Sequence, residues 1–181
     1  VRVAVPGGRV EVLEHLGSAV TVVRPSPDGR WLYVGEMAGN AMHVLRARVD
    51  ATTAPERLPL PVVSEFQLAA GRLVFTQPEL KGATSCTLPE LTCGRLDIAL
   101  DDANRHDWLL AGQSIWFPLR VPGGRQLGRF DLDEGRLAER RTFAPTANGL
   151  AIAASPDGRR LAIAREDPPA IDLMIARAAR R

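Results

Sequence analysis

The sequence predicts an all-β fold built from a repeated four-stranded antiparallel sheet, and three observations carry that expectation. A turn sequence, Ser26-Pro27-Asp28-Gly29-Arg30, recurs as Ser155-Pro156-Asp157-Gly158-Arg159, each time ahead of an alternating apolar run. Two degenerate copies lie between them, Ala69-Ala70-Gly71-Arg72-Leu73-Val74-Phe75 and Leu110-Ala111-Gly112-Gln113-Ser114-Ile115-Trp116-Phe117, so Gly29, Gly71, Gly112 and Gly158 stand 42, 41 and 46 residues apart. A second turn series runs in phase, with Gly94 and Gly135 each 23 residues after Gly71 and Gly112. A period of about 40–45 residues holding two hairpins is that of a β-propeller blade.

The elements follow in order. A half-blade over 1–17 opens the chain, where Val1–Val5 and Arg9–Leu13 flank Pro6-Gly7-Gly8. It matches the later hairpin of Arg129–Leu132, Asp133-Glu134-Gly135 and Arg136–Arg140. The first whole blade spans 20–62, with strands expected near 20–25, 30–37, 41–49 and 56–62. Blades over 65–102 and 106–145 come next, and a last one over 147–181 stops after its third strand. This phase suits the closing end of a ring, so about four blades belonging to a larger propeller are expected. The chain starts at Val1 rather than Met and reads as cut from a longer protein.

Turn chemistry supports the repeat. Serine suits the first position of a Ser-Pro-Asp-Gly turn, proline presets φ at the second, and glycine accepts a positive φ at the fourth. Ser26, Pro27, Asp28, Gly29, Gly71, Gly112, Ser155, Pro156, Asp157 and Gly158 are therefore expected to be structural. Aligning the glycines places Leu32, Val74, Ile115 and Leu161 at one position, with Val34, Thr76, Phe117 and Ile163 two residues later. Trp31, Tyr33, Phe75 and Trp116 fall on the opposite face. Strands apolar on both faces are buried on both sides, as stacked blades require and a sandwich with one solvated face does not.

Composition excludes several function classes. An apolar fraction of 45% with 24% charged residues belongs to a folded chain. No apolar run reaches the roughly 18 residues of a membrane helix. Lys81 is the one lysine among 23 basic residues, and the arginines interleave with 21 acids, giving a net charge of +2 rather than a basic block. Direct nucleic-acid contact from this segment is not expected.

Catalytic and metal chemistry find little support in the residues. There is no Gly-x-Ser-x-Gly elbow, and Gly7-Gly8 and Gly123-Gly124 lack the Lys-Ser/Thr or helix of a phosphate loop. Asp101-Asp102-Ala103-Asn104-Arg105-His106-Asp107 is the densest polar cluster. Arg105 sits in its middle and its spacing fits no known metal loop, so it reads as a connector between blades. His15 and His43 are isolated. No catalytic residue, cofactor or metal site is assigned. Cys86 and Cys93 would face each other across a hairpin if Pro89-Glu90 turned. On one extended strand ending at Gly94 they would be too far apart to bond, and the repeat phase favours that second arrangement.

The last 35 residues carry a family resemblance. Gly149-Leu150-Ala151, Ser155-Pro156-Asp157-Gly158-Arg159-Arg160-Leu161, Ala164-Arg165 and Ile171-Asp172-Leu173-Met174-Ile175 resemble the closing repeat of TolB-like propellers at the C-terminus of CadC/ToxR-type winged-helix transcriptional regulators. His106-Asp107-Trp108, Ile115-Trp116-Phe117 and Phe130-Asp131-Leu132 resemble that family's penultimate blade. The resemblance implies a non-catalytic propeller for sensing or protein contact on the periplasmic side of a bacterial inner membrane, joined in its parent chain to a membrane helix and a DNA-binding domain. It names neither the protein nor the small-molecule ligand. An envelope or secreted TolB-like binding propeller and the propeller of a prolyl-oligopeptidase-type hydrolase are the alternatives.

Overall fold

The computed structural model describes residues 2–4, 10–12, 19–50, 53–98, 100, 107–122, 124–142, 150–155, 160–167 and 170–177. The described residues form strands and turns, with no helix among them, and the chain divides into two compact units, 1–64 and 65–181.

In the first unit β1 (Arg2–Ala4) pairs antiparallel with β2 (Val10–Val12). Then β3 (Val20–Pro25), β4 (Trp31–Ala38), β5 (Ala41–Arg48) and β6 (Glu56–Arg57) form a four-stranded antiparallel meander, the first blade. Its outer strand is shorter than the 56–62 expected. After Arg57 the Leu58 N–H still donates to the Val44 carbonyl, and Val63 then returns to the sheet, bridging Met42. Two prolines, Pro59 and Pro61, explain the interruption, because proline has no amide hydrogen to give a ladder. The core of this blade packs Leu32, Val34 and Ala47 against Val20, Val23, Leu45 and Val49.

The second unit repeats the meander. The second blade is β7 (Glu65–Ala69), β8 (Arg72–Gln77), β9 (Leu80–Thr87) and β10 (Thr92–Leu96), in the order β10-β9-β8-β7. The third is β11 (Leu109–Ala111), β12 (Ser114–Val121), β13 (Gly124–Asp131) and β14 (Arg136–Thr142). A three-stranded sheet follows, β15 (Leu150–Ala154), β16 (Arg160–Asp167) and β17 (Ala170–Arg177). These are the sheets of a partial β-propeller, and within this unit they stack face to face. Val74, Ala83, Ile98 and Leu100 of the second blade share a core with Trp108, Leu110, Ile115, Phe117, Phe130 and Leu132. The other face of the third blade, with Ala111, Trp116 and Leu127, packs on Leu161 and Ile163. Burial on both faces is why these strands carry apolar runs rather than strict alternation.

Two sequence expectations are corrected. The first concerns the glycine alignment. β7 and β8 join through Ala70-Gly71, and β11 and β12 through Gly112-Gln113, because Ala69 pairs with Arg72 and Ala111 with Ser114. Gly71 thus holds the second place of its two-residue loop and Gly112 the first. Ala70 and Gly71 both have positive φ (48° and 73°), as a type I′ turn needs, whereas Gly112 has positive φ (56°) in the first place of its loop, as in type II′. The structural equivalents of Ile115 and Phe117 are Leu73 and Phe75, not Val74 and Thr76. A one-residue slip turns each side chain to the other sheet face, and Val74 accordingly packs with Ile115 and Phe117 rather than matching them.

The second correction concerns the cysteines. Gly94 lies inside β10, and the turn falls earlier, at 88–91, where Leu91 takes the positive φ of 57°. β9 and β10 are therefore the two arms of a hairpin with Cys86 opposite Cys93, and the two form a disulfide.

Candidate functional site

The Ser-Pro-Asp-Gly turn joins β3 to β4, and its polar atoms are engaged within the turn itself. The Ser26 N–H donates to the Trp31 carbonyl at 2.8 Å, and the Trp31 N–H donates to Ser26 Oγ at 3.0 Å. The Ser26 hydroxyl donates in turn to Asp28, whose same oxygen, Oδ1, accepts from the Arg30 N–H at 3.1 Å. Gly29, at φ 69°, closes the turn by donating to the Ser26 carbonyl at 2.9 Å. These donors, Ser26 first and then the Arg30 amide, hold the Asp28 carboxyl below its ordinary pKa. At the start of the second copy, the Ser155 N–H donates to the Arg160 carbonyl at 2.9 Å, and the Arg160 N–H donates to Ser155 Oγ at 2.9 Å. The five-residue offset is that of Ser26 and Trp31. Pro156, Asp157 and Gly158 lie outside the described residues, as do His15 and the 101–106 part of the acidic cluster.

A second polar constellation was not singled out from the sequence. In the first blade Tyr33, Arg46 and Glu56 stand side by side across β4, β5 and β6. In the third, Trp116, Arg129 and Glu139 occupy the same row across β12, β13 and β14. Arg46 reaches Glu56 at 2.8 Å and lies 4.7 Å from the centroid of the Trp31 ring. Arg48, directly opposite Trp31, stacks at 5.4 Å and grips Asp50 with two nitrogens. Arg129 lies 6.0 Å from the Trp116 ring, 3.4 Å from Glu139 and 3.6 Å from Asp131. Burial raises the Tyr33 phenol above its ordinary pKa against the opposing pull of Arg46. Such rows combine cation–π and ion-pair contacts with packing of the arginine stem. The sequence signal was there, since an aromatic residue recurs on the second strand, an arginine on the third and a glutamate on the fourth. It became readable only with the register.

His43, opposite Glu36, accepts from Arg57 at 2.7 Å and so helps to fasten the short outer strand β6. Among the described residues no three His, Cys, Asp or Glu side chains are grouped to hold a metal. A shallow recess beside Phe75, Leu80, Lys81 and Arg95 has a volume of about 10 Å³, room for a single water.

Comparison with known proteins bears on the fold. Neither a protein-family model nor a curated protein matches the sequence. Among solved structures, TolB from Acinetobacter baumannii superposes with a TM-score of 0.64 at 16% identity, over 94% of this chain and 43% of that one. A protein assigned as TolB from Agrobacterium tumefaciens gives 0.61 at 14% identity, over 89% of this chain and 63% of that one. One of two prolyl endopeptidases gives 0.63 at 19% identity, covering 84% of this chain and 24% of the enzyme. The chain thus spans less than half the length of the Acinetobacter protein. At these identities the likeness establishes architecture, and the architecture is that of part of a TolB-like β-propeller.

Proposed function

We propose that the chain is a non-catalytic protein-interaction propeller acting on the periplasmic side of a bacterial inner membrane, as the sensory part of a winged-helix transcriptional regulator. The observation that carries the interaction role is the TolB-like fold over 94% of the chain, shared at a TM-score of 0.64. The compartment is supported by the disulfide between Cys86 and Cys93, because such bonds persist in oxidising compartments and are reduced in the bacterial cytosol. The regulator context rests on the resemblance of the Ser155–Ile175 segment to the closing repeat of that family. The likeness to TolB itself equally favours a second reading, an envelope propeller that binds partners with no regulator attached. The likeness to a prolyl endopeptidase concerns 24% of that enzyme and carries only the fold.

Two observations test this. Intact cells are treated with a membrane-impermeant maleimide, then lysed in acid and analysed by mass. The expected outcome is that Cys86 and Cys93 escape labelling until a reductant is added. Thiols that react only after lysis, with no reductant, would place the chain in the cytosol and overturn the compartment. Reading the gene upstream of Val1 separates the two contexts. A winged helix and one membrane span support the regulator, and a signal peptide directly before the propeller supports the envelope protein instead.

A further inference from the structure

The hairpin of β9 and β10 is built differently from its counterpart in the next blade. Cys86 is fully buried, on the strand that packs into the blade, while Cys93 is exposed on the outermost strand. Thr92, Cys93, Gly94 and Arg95 are all exposed, and Leu96 alone is half-buried. Apart from its ladder with β9, this strand is held by Arg95 donating to the Lys81 carbonyl at 2.9 Å, by the Thr87 hydroxyl donating to the Thr92 carbonyl at 3.4 Å, by Leu96 against the core, and by the disulfide. The fully buried side chains of the blade's strands, among them Phe66, Leu73, Val74, Phe75 and Cys86, sit on β7, β8 and β9, and none lies on β10. Releasing β10 therefore uncovers little apolar surface, and the hydrophobic penalty for release is small.

From this asymmetry we infer that the Cys86–Cys93 bond is a thiol-exchangeable latch on the outer strand, opened by a dithiol that attacks at Cys93. The approach is set by exposure, since the Cys93 side of the bond faces solvent and the Cys86 side does not. A thiolate of the dithiol bonds to Cys93 Sγ, the Cys86–Cys93 bond breaks, and Cys86 leaves as thiolate and takes a proton from water. The second thiol of the dithiol then attacks the mixed disulfide, releasing Cys93 as a thiolate that is protonated in turn. The reagent departs as its own disulfide, having supplied the two electrons. An oxidised dithiol returns the latch by the reverse steps. Opening frees β10 and leaves the outward edge of β9 unpaired, a row of backbone donors and acceptors able to take an incoming strand.

The test uses the full oxidised chain in native buffer with millimolar dithiothreitol, followed by mass spectrometry of thiol content and of amide exchange. Reduction is expected to proceed without denaturant. Exchange in peptides covering 91–96 should accelerate more than about tenfold, while those covering 72–77 and 109–117 keep their protection. The double variant C86A/C93A should show the same pattern without reductant. A bond reduced only after denaturant is added overturns the latch, as does reduction that leaves β10 equally protected. Loss of protection across all the blades would show a structural staple instead and would equally overturn it.

Discussion

The second and third blades are the same frame filled with different chemistry. Both have a two-residue loop between their first two strands and a four-residue loop between their last two. Superposing the loops sets Cys86 and Cys93 on Phe130 and Leu137, which face each other at the same place in the third blade. Phe130 is buried and Leu137 packs against the shared core, so the outer strand there is held by apolar contact. In the second blade a covalent bond does that task over a strand that is exposed except at Leu96. The difference teaches that a propeller repeat specifies where the outer strand must be tied and not how.

The inner strands show the same substitution of means. Gln67 of β7 occupies the place that Leu109 occupies in β11, opposite Val74 and Trp116 respectively. Leu109 packs apolar side to side with the Trp116 cluster. Gln67 instead hooks the next blade by its backbone. Its Nε2 donates to the Trp108 carbonyl at 2.7 Å and its Oε1 accepts from the Leu110 N–H at 2.9 Å. One amide thus mimics a stretch of β ladder between two sheets that are not otherwise paired.

The sharpest break of the comparison is Phe130→Ala. It removes the apolar tie in the third blade and a fully enclosed ring from the core shared with the second. A loss of about 3–5 kcal/mol in urea unfolding is expected for a buried phenylalanine. A loss near that of a surface change, below about 0.5 kcal/mol, would show that the ring supplies neither the tie nor the shared core.

A smaller effect is expected for Gln67→Leu, which gives the second blade the apolar side chain of the third. The substitution leaves the Leu110 N–H without this acceptor inside a buried region, at about 1–3 kcal/mol. Amide exchange at Leu110 should speed up together with the loss of stability. An unchanged Leu110 amide would show that the hydrogen bonds from Gln67 do not tie the blades.

The repeat itself was legible because turn glycines and alternating apolar runs are local signals. Three strands of the first blade, expected near 20–25, 30–37 and 41–49 from the phase of the Ser26–Gly29 turn, lie at Val20–Pro25, Trp31–Ala38 and Ala41–Arg48. What was not legible was register. Gly71 and Gly112 look equivalent on the line of the sequence, yet type I′ and type II′ loops place their glycine at different positions. One residue of slip exchanges the two faces of β8, and with them the neighbours of Val74. The same blindness hid the disulfide, because Gly94 was read as a turn when the chain turns at Leu91. A leucine in a left-handed conformation sends no signal that glycine would send. The arginine rows were also out of reach, since Tyr33, Arg46 and Glu56 become neighbours only after three strands are set in order.

That leucine offers the finest comparison of the two blades. Leu91 and Gly135 are the last residues of equivalent four-residue loops, with φ of 57° and 64°. A Cβ at Gly135 would meet nothing within 4 Å, so space does not decide the residue there. Backbone strain does, at roughly 1–2 kcal/mol for a side chain held in this region. Leu91→Gly should relieve that strain, and the added freedom of the unfolded chain takes back about 0.4–1 kcal/mol of it. The net expectation is a gain of roughly 0.5–1 kcal/mol, and Gly135→Leu should lose about the same. Measured side by side in urea, the two substitutions should shift the midpoint in opposite directions. A destabilised Leu91→Gly would mean that the half-buried leucine side chain holds the hairpin by its contacts, and that strain in the second blade is outweighed by packing even at the turn.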